Sequence, residues 1–167
     1  MVALATAGAA NWAGSTYTHR HGAQDVAQVL ACRWRPADTV FVVDDYPYDV
    51  PFLAQLPQPM TVVLDWAAER RSARDNWRRE LFEGADFDAG AARALQGPEV
   101  LAAVASLPGQ WVVAPRQNTL SGWPLVYEGR AWSLYLSPAT YAQRAAAAPG
   151  TVLPGCPRQG QADPARP

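Results

Sequence analysis

Two short runs rich in β-branched residues, Thr39 to Val43 and Met60 to Leu64, each end on carboxylates, Asp44 with Asp45 in the first and Asp65 in the second. Runs of this length, bounded by turn residues, read as buried strands. Between them, Tyr46-Pro47-Tyr48-Asp49-Val50-Pro51 interrupts any regular element, because each proline lacks a backbone donor and biases the residue before it toward extended geometry. Phe52, Leu53 and Leu56 then suggest one or two helical turns before Pro57 and Pro59. In an open α/β sheet, ligands gather at the carboxyl ends of strands, which is where this acidic, tyrosine-bearing turn would lie.

The rest of the chain supplies helices and further strands. Val26, Val29, Leu30 and Trp34 form an apolar stripe from Gly22 onward, with Asp25 in the first turn, where the helix dipole favours it. Ser72-x-x-Asp75 has the form of a capping box and predicts a helix from about Ala73 to Phe82. That helix would bury Trp77 and Leu81 and pair Asp75 with Arg79. A short helical piece near Asp88 follows, with Phe87 and Leu95 toward the core. Pro98 at a first helical position, with Val100, Leu101, Val104 and Leu107 on one face, gives the clearest helix. Gln110 to Ala114 reads as a third strand. Trp123 to Glu128 and Ala131 to Leu136, joined by Gly129-Arg130, read as a β-hairpin, and Ser137-Pro138 opens an alanine-rich helix.

The expected fold is therefore α/β: a single, three-layer-like domain with a mixed sheet of about five strands, flanking helices and a C-terminal β-hairpin. Its expected limits are 21–148, preceded by residues 1–20, a flexible segment or the end of a membrane helix, and followed by a disordered tail, 149–167.

Composition narrows the function. A net charge of −1 with scattered arginines leaves no electrostatic footprint for nucleic acid. No run approaches the roughly 20 apolar residues that a bilayer crossing needs. The two cysteines, Cys32 in a predicted helix and Cys156 in a proline-rich stretch, give no metal spacing or disulfide framework and read as free thiols. His19 and His21 supply too few ligands for zinc, so no metal and no cofactor are expected. Signatures of α/β-hydrolases, nucleotide-binding loops and zinc proteases are absent.

The remaining polar candidates are Asp44, Asp45, Asp49 and Asp65, which suit acid–base work, cation binding or simple turn formation, and Arg74, Arg78 and Arg79, which suit an anion or a solvated helix face. Tyr46, Tyr48 and Trp77 add aromatic faces near the same turn, suited to core filling, sugar stacking or a membrane interface. The candidate ligand-binding set is thus Asp44, Tyr46, Tyr48, Asp49, Asp65, Trp77 and Arg78, with no catalytic residue assigned.

Several segments carry a family resemblance: DTVFVVDDYPYDVPFLAQLPQPMTVVLDW from Asp38, RDNWRREL from Arg74, QWVVA from Gln110 and VYEGRAWSLY from Val126. Over residues 20–136, this order resembles the C-terminal extramembrane domain of bacterial integral-membrane glycosyltransferases related to the lipid A aminoarabinose transferase and the protein O-mannosyltransferases. The resemblance implies a periplasmic cap, without catalysis of its own, at the periplasmic face of the inner membrane. It implies as partners the membrane helix bundle of such an enzyme or the membrane surface, and a lipid-linked sugar, but not nucleic acid. The family's membrane bundle and acidic catalytic loop are not among these residues, so no catalytic residue carries over, and a truncated reading frame or an isolated domain is expected. Two other readings stay open: a free-standing small-molecule enzyme using Asp44, Asp49 or Asp65 with Arg78, and an interaction module with exposed tryptophans.

Overall fold

A computed structural model describes residues 22–72 and 75–147. The expectations for residues 1–20 and 149–167, and for His19 and His21, lie outside the described residues. The elements in order are α1 (Gln24–Ala31), β1 (Thr39–Val43), α2 (Asp49–Leu53), β2 (Thr61–Val63), α3 (Trp66–Ser72), α4 (Trp77–Phe87), α5 (Ala89–Arg93), β3 (Leu95–Gln96), α6 (Glu99–Val104), β4 (Gln110–Pro115), β5 (Leu125–Glu128), β6 (Trp132–Leu136) and α7 (Pro138–Ala147).

The strands form one mixed sheet of six, in the order β3-β2-β1-β4-β6-β5. The first four run parallel, and β6 turns antiparallel against β4 and β5. Six strands rather than five result because Leu95–Gln96 pairs with Val62 and Val63 of β2. Two residues are too few to show alternation, so this edge strand leaves no sequence signal.

Alternation sorts the central strands onto two cores. Val40, Val42, Trp111, Val113, Trp132, Leu134 and Leu136 face one side, covered by α1 through Val26, Ala27 and Leu30 and by α2 through Val50. Trp66, Trp77, Leu81 and Tyr141 add α3, α4 and α7 to that side. Phe41, Val43, Val112, Ala114 and Tyr135 face the other side, where α6 packs Val100, Leu101 and Val104. Helices thus cover both faces, as three-layer packing requires. The tryptophans serve mainly this packing: Trp111, Trp123 and Trp132 are buried, and Trp34, Trp66 and Trp77 lie partly buried against the first core.

The end of the sheet where β1 and β4 begin is closed by buried polar bonds. Asp38 accepts from the Trp111 indole at 2.8 Å, and Arg144 of α7 reaches the same carboxylate at 3.4 Å while its guanidinium lies 4.9 Å from the Trp111 ring. Ser137 donates to the Leu107 carbonyl at 2.8 Å, and the Gly109 amide donates to Thr140 at 2.6 Å.

Several local expectations change. Ser72 closes the helix α3 that follows β2 instead of opening the next one, and its hydroxyl donates to the Glu69 carbonyl at 2.8 Å. The next helix starts later, at Asn76, whose side chain accepts from the Arg78 and Arg79 amides. A short side chain in extended geometry meets those two orphan donors, so the cap falls there. Arg79 pairs with Glu83 at 2.6 Å rather than with Asp75. Phe87 is 93% exposed and Phe52 82% exposed, while Val50 carries the burial in α2. Cys32 is disulfide-bonded, which corrects the reading of a free thiol there; the reading for Cys156 lies outside the described residues.

Candidate functional site

The strand order reverses at β1: β2 and β3 follow on one side, whereas β4 returns on the other. Chain leaving β1 and β4 therefore diverges, and a crevice opens outside their carboxyl ends. In this molecule the crevice is an open groove of about 1460 Å³.

One wall follows β1. Asp44 adopts a left-handed conformation with φ 64°, which turns the chain out of the sheet one residue after the strand ends. Asp44 and Asp45 therefore lie beyond the strand and do not follow its alternation. Asp45 then accepts from the Tyr46 amide at 2.9 Å. Asp49, the first residue of α2, accepts from the Ala23 amide at 3.1 Å and so ties the β1 turn to the start of α1. Between these two acids, Tyr46 and Tyr48 meet edge to face with ring centroids 4.9 Å apart, and Trp77 lies 6.4 Å from Tyr46. Burial, then Tyr48, raises the Tyr46 phenol above its ordinary value. Burial, Glu80 and Asp45 raise that of Tyr48.

The second wall comes from β4 and α4. Asn118, in a turn closed by its amide to the Pro115 carbonyl, donates its side chain to the Asp44 carboxylate at 2.5 Å and so spans the crevice. Tyr135 of β6 donates to the Asn118 carbonyl at 2.9 Å and holds that turn. Arg78 donates to the Asp44 carbonyl at 2.6 Å, reaches Glu69 at 3.3 Å and lies 5.3 Å from the Trp77 ring. Asp44 therefore joins β1, the β4 turn and α4. Its own geometry follows: a residue held at positive φ needs such fixing.

Of the seven sequence candidates, Asp44, Tyr46, Tyr48, Asp49, Trp77 and Arg78 line this groove. Asp65 does not; it accepts from the Ala68 amide at 2.9 Å at the start of α3. Sequence reasoning missed Asn76, Arg116, Asn118, Arg130 and Trp132, which also line the groove. Residues 115–118 follow a strand that the sequence did reveal, so the rule about carboxyl ends applied to QWVVA would have nominated them. Each carboxylate in the groove has one oxygen engaged: Asp45 by the adjacent Tyr46 amide, as in a turn, and Asp49 and Asp44 by donors far away in sequence, the Ala23 amide and the Asn118 side chain. Among the described residues, no group of three or more His, Cys, Asp or Glu is placed to hold a metal ion, and no helix is long and apolar enough to cross a membrane.

The fold is that of an open α/β sheet with a switch-point groove. No protein-family pattern matches the chain, and no curated protein matches it. Among solved structures, it has a distant resemblance to the crystal structure of ArnT from Cupriavidus metallidurans bound to undecaprenyl phosphate, with 17% sequence identity and a TM-score of 0.49. The match covers 71% of this chain and 20% of that one, so this chain spans about a fifth of its neighbour's length. Likeness of this degree assigns no activity to the chain.

Proposed function

We propose that the chain is an accessory domain of a membrane glycosyltransferase that uses polyprenyl-phosphate sugars, placed at the periplasmic face and not catalytic by itself. One observation carries the reading. Two segments of the family resemblance, Tyr48-Asp49-Val50-Pro51-Phe52 and Asp75-Asn76-Trp77-Arg78, are far apart in sequence, yet Tyr48, Asp49, Asn76, Trp77 and Arg78 line one groove. A disulfide at Cys32 supports an oxidising compartment, where such bonds persist.

The purified chain, mixed with a polyprenyl-phosphate sugar and a glycolipid acceptor, is expected to transfer no sugar; turnover would overturn the reading. Translation of the DNA upstream of Met1 in all three frames is expected to reveal a run of hydrophobic helices. A promoter with no membrane segments would instead leave a self-contained protein.

The convergence of Asp44, Asp49 and Arg78 also meets the first requirement of a small-molecule enzyme. Their bonds to Asn118, to the Ala23 amide and to the Asp44 carbonyl favour a structural duty over proton transfer. A general base must reach the proton that it abstracts, and engaged oxygens are poorly disposed to do so.

A further inference from the structure

A second hollow of about 580 Å³ lies beside the groove, between the start of α1 and the β5–β6 turn, with Gln24, Gln28 and Tyr127 in its wall. Gly22, Arg116 and Arg130 line both hollows, so the two run into one trough. Gly129 suits the junction: a Cβ there would lie 2.8 Å from the Trp132 backbone carbonyl and would also push the Asp25 carboxylate of α1 aside. The main groove alone exceeds the roughly 300–1,000 Å³ that suits a compact small molecule. A ligand that fills the trough would be an extended one.

The lining indicates its chemistry. Arg78, Arg116 and Arg130 face Asp44, Asp45 and Asp49, so the formal charges of the main groove cancel and a polyanion gains no net attraction. Arg116 is further engaged by Glu128 at 2.7 Å. Flat aromatic surface stands beside these polar groups, and Tyr48 is 59% exposed. Side chains with both donors and acceptors, together with aromatic faces, match a ligand whose rings are apolar on their faces and hydroxylated at their rims.

We propose that the trough binds a neutral oligosaccharide, with one ring against Tyr48 and Tyr46 and ring hydroxyls at Asp45, Asp49 and Arg130. The proposal rests on the accessory-domain reading of this groove and adds its ligand class. The test is an NMR titration of the full chain, following the indole N–H signals of Trp77 and Trp132, with cellotetraose, maltotetraose, mannotetraose and tetra-N-acetylchitotetraose as probes. Glucose and inorganic phosphate serve as controls.

At least one tetrasaccharide is expected to shift those signals saturably below about 1 mM, with glucose weaker by about tenfold or more. Tyr48→Ala, at an exposed position, is expected to keep the folded spectrum and weaken that binding by about tenfold. Absence of shifts from all four tetrasaccharides at about 10 mM would overturn the proposal. So would tighter binding of phosphate, or unchanged binding by folded Tyr48→Ala. Saccharide binding without upstream membrane helices would sink the accessory-domain reading and leave the ligand class standing; helices without saccharide binding would do the reverse.

Discussion

Asp44 shows how one residue sets the geometry of the groove. Its φ of 64° costs an L-residue with a side chain about 1–2 kcal/mol, and the bond from Asn118 offsets part of that. Asp44→Val is expected to lower stability by about 2 kcal/mol in urea unfolding, whereas Asp44→Gly loses the bond but not the conformation and costs less. Arg78→Lys is expected to cost about 1–2 kcal/mol by the same measurement, because one ammonium cannot span the Asp44 carbonyl and Glu69 as the guanidinium fork does. The tyrosine pair adds a pH dependence. Burial leads the causes that hold both phenols above the unfolded tyrosine value of about 10, so the folded state keeps protons that the unfolded chain releases. Stability from this source is complete below about pH 10 and falls as pH rises through the raised values. Denaturant midpoints measured on either side of pH 10 are expected to drop, and Tyr46→Phe is expected to shrink that drop.

At the scale of elements, local signals competed with tertiary ones. The β1 and β4 runs were legible because a fully buried strand must be apolar on both faces, as Val40 to Val43 and Trp111 to Ala114 are. The helix start near residue 75 was misplaced because Ser72 and Asn76 both have capping chemistry, and only the fold shows which one precedes free amides. Asn76→Ala is expected to cost about 1 kcal/mol, read from the urea midpoint, and to leave the other helices unchanged. Phe87 illustrates the opposite failure: hydrophobicity suggested burial, but it ends α4 on the solvent side and is 93% exposed.

For the molecule as a whole, the decisive feature is the reversal of strand order at β1, which places the β4 turn beside the β1 turn. The Cys32 disulfide acts at the same scale by restricting the unfolded chain. Reduction is expected to lower unfolding stability by about 2–4 kcal/mol, measured with and without reductant, and to leave the β1 and β4 strands paired in the folded state.

The sequence by itself determined the α/β class, the β1 and β4 strands, the final hairpin and most of one groove wall, from Asp44 to Asp49. These depend on residues close in the chain, where periodicity, proline and turn chemistry act directly. Only the tertiary structure decided that Asn118 reaches Asp44, that Arg78 braces the same residue, that Asp65 stands apart and that Arg130 joins two hollows. Those relations depend on which strands become neighbours, and strand order is settled by packing between distant segments, for which no local pattern exists.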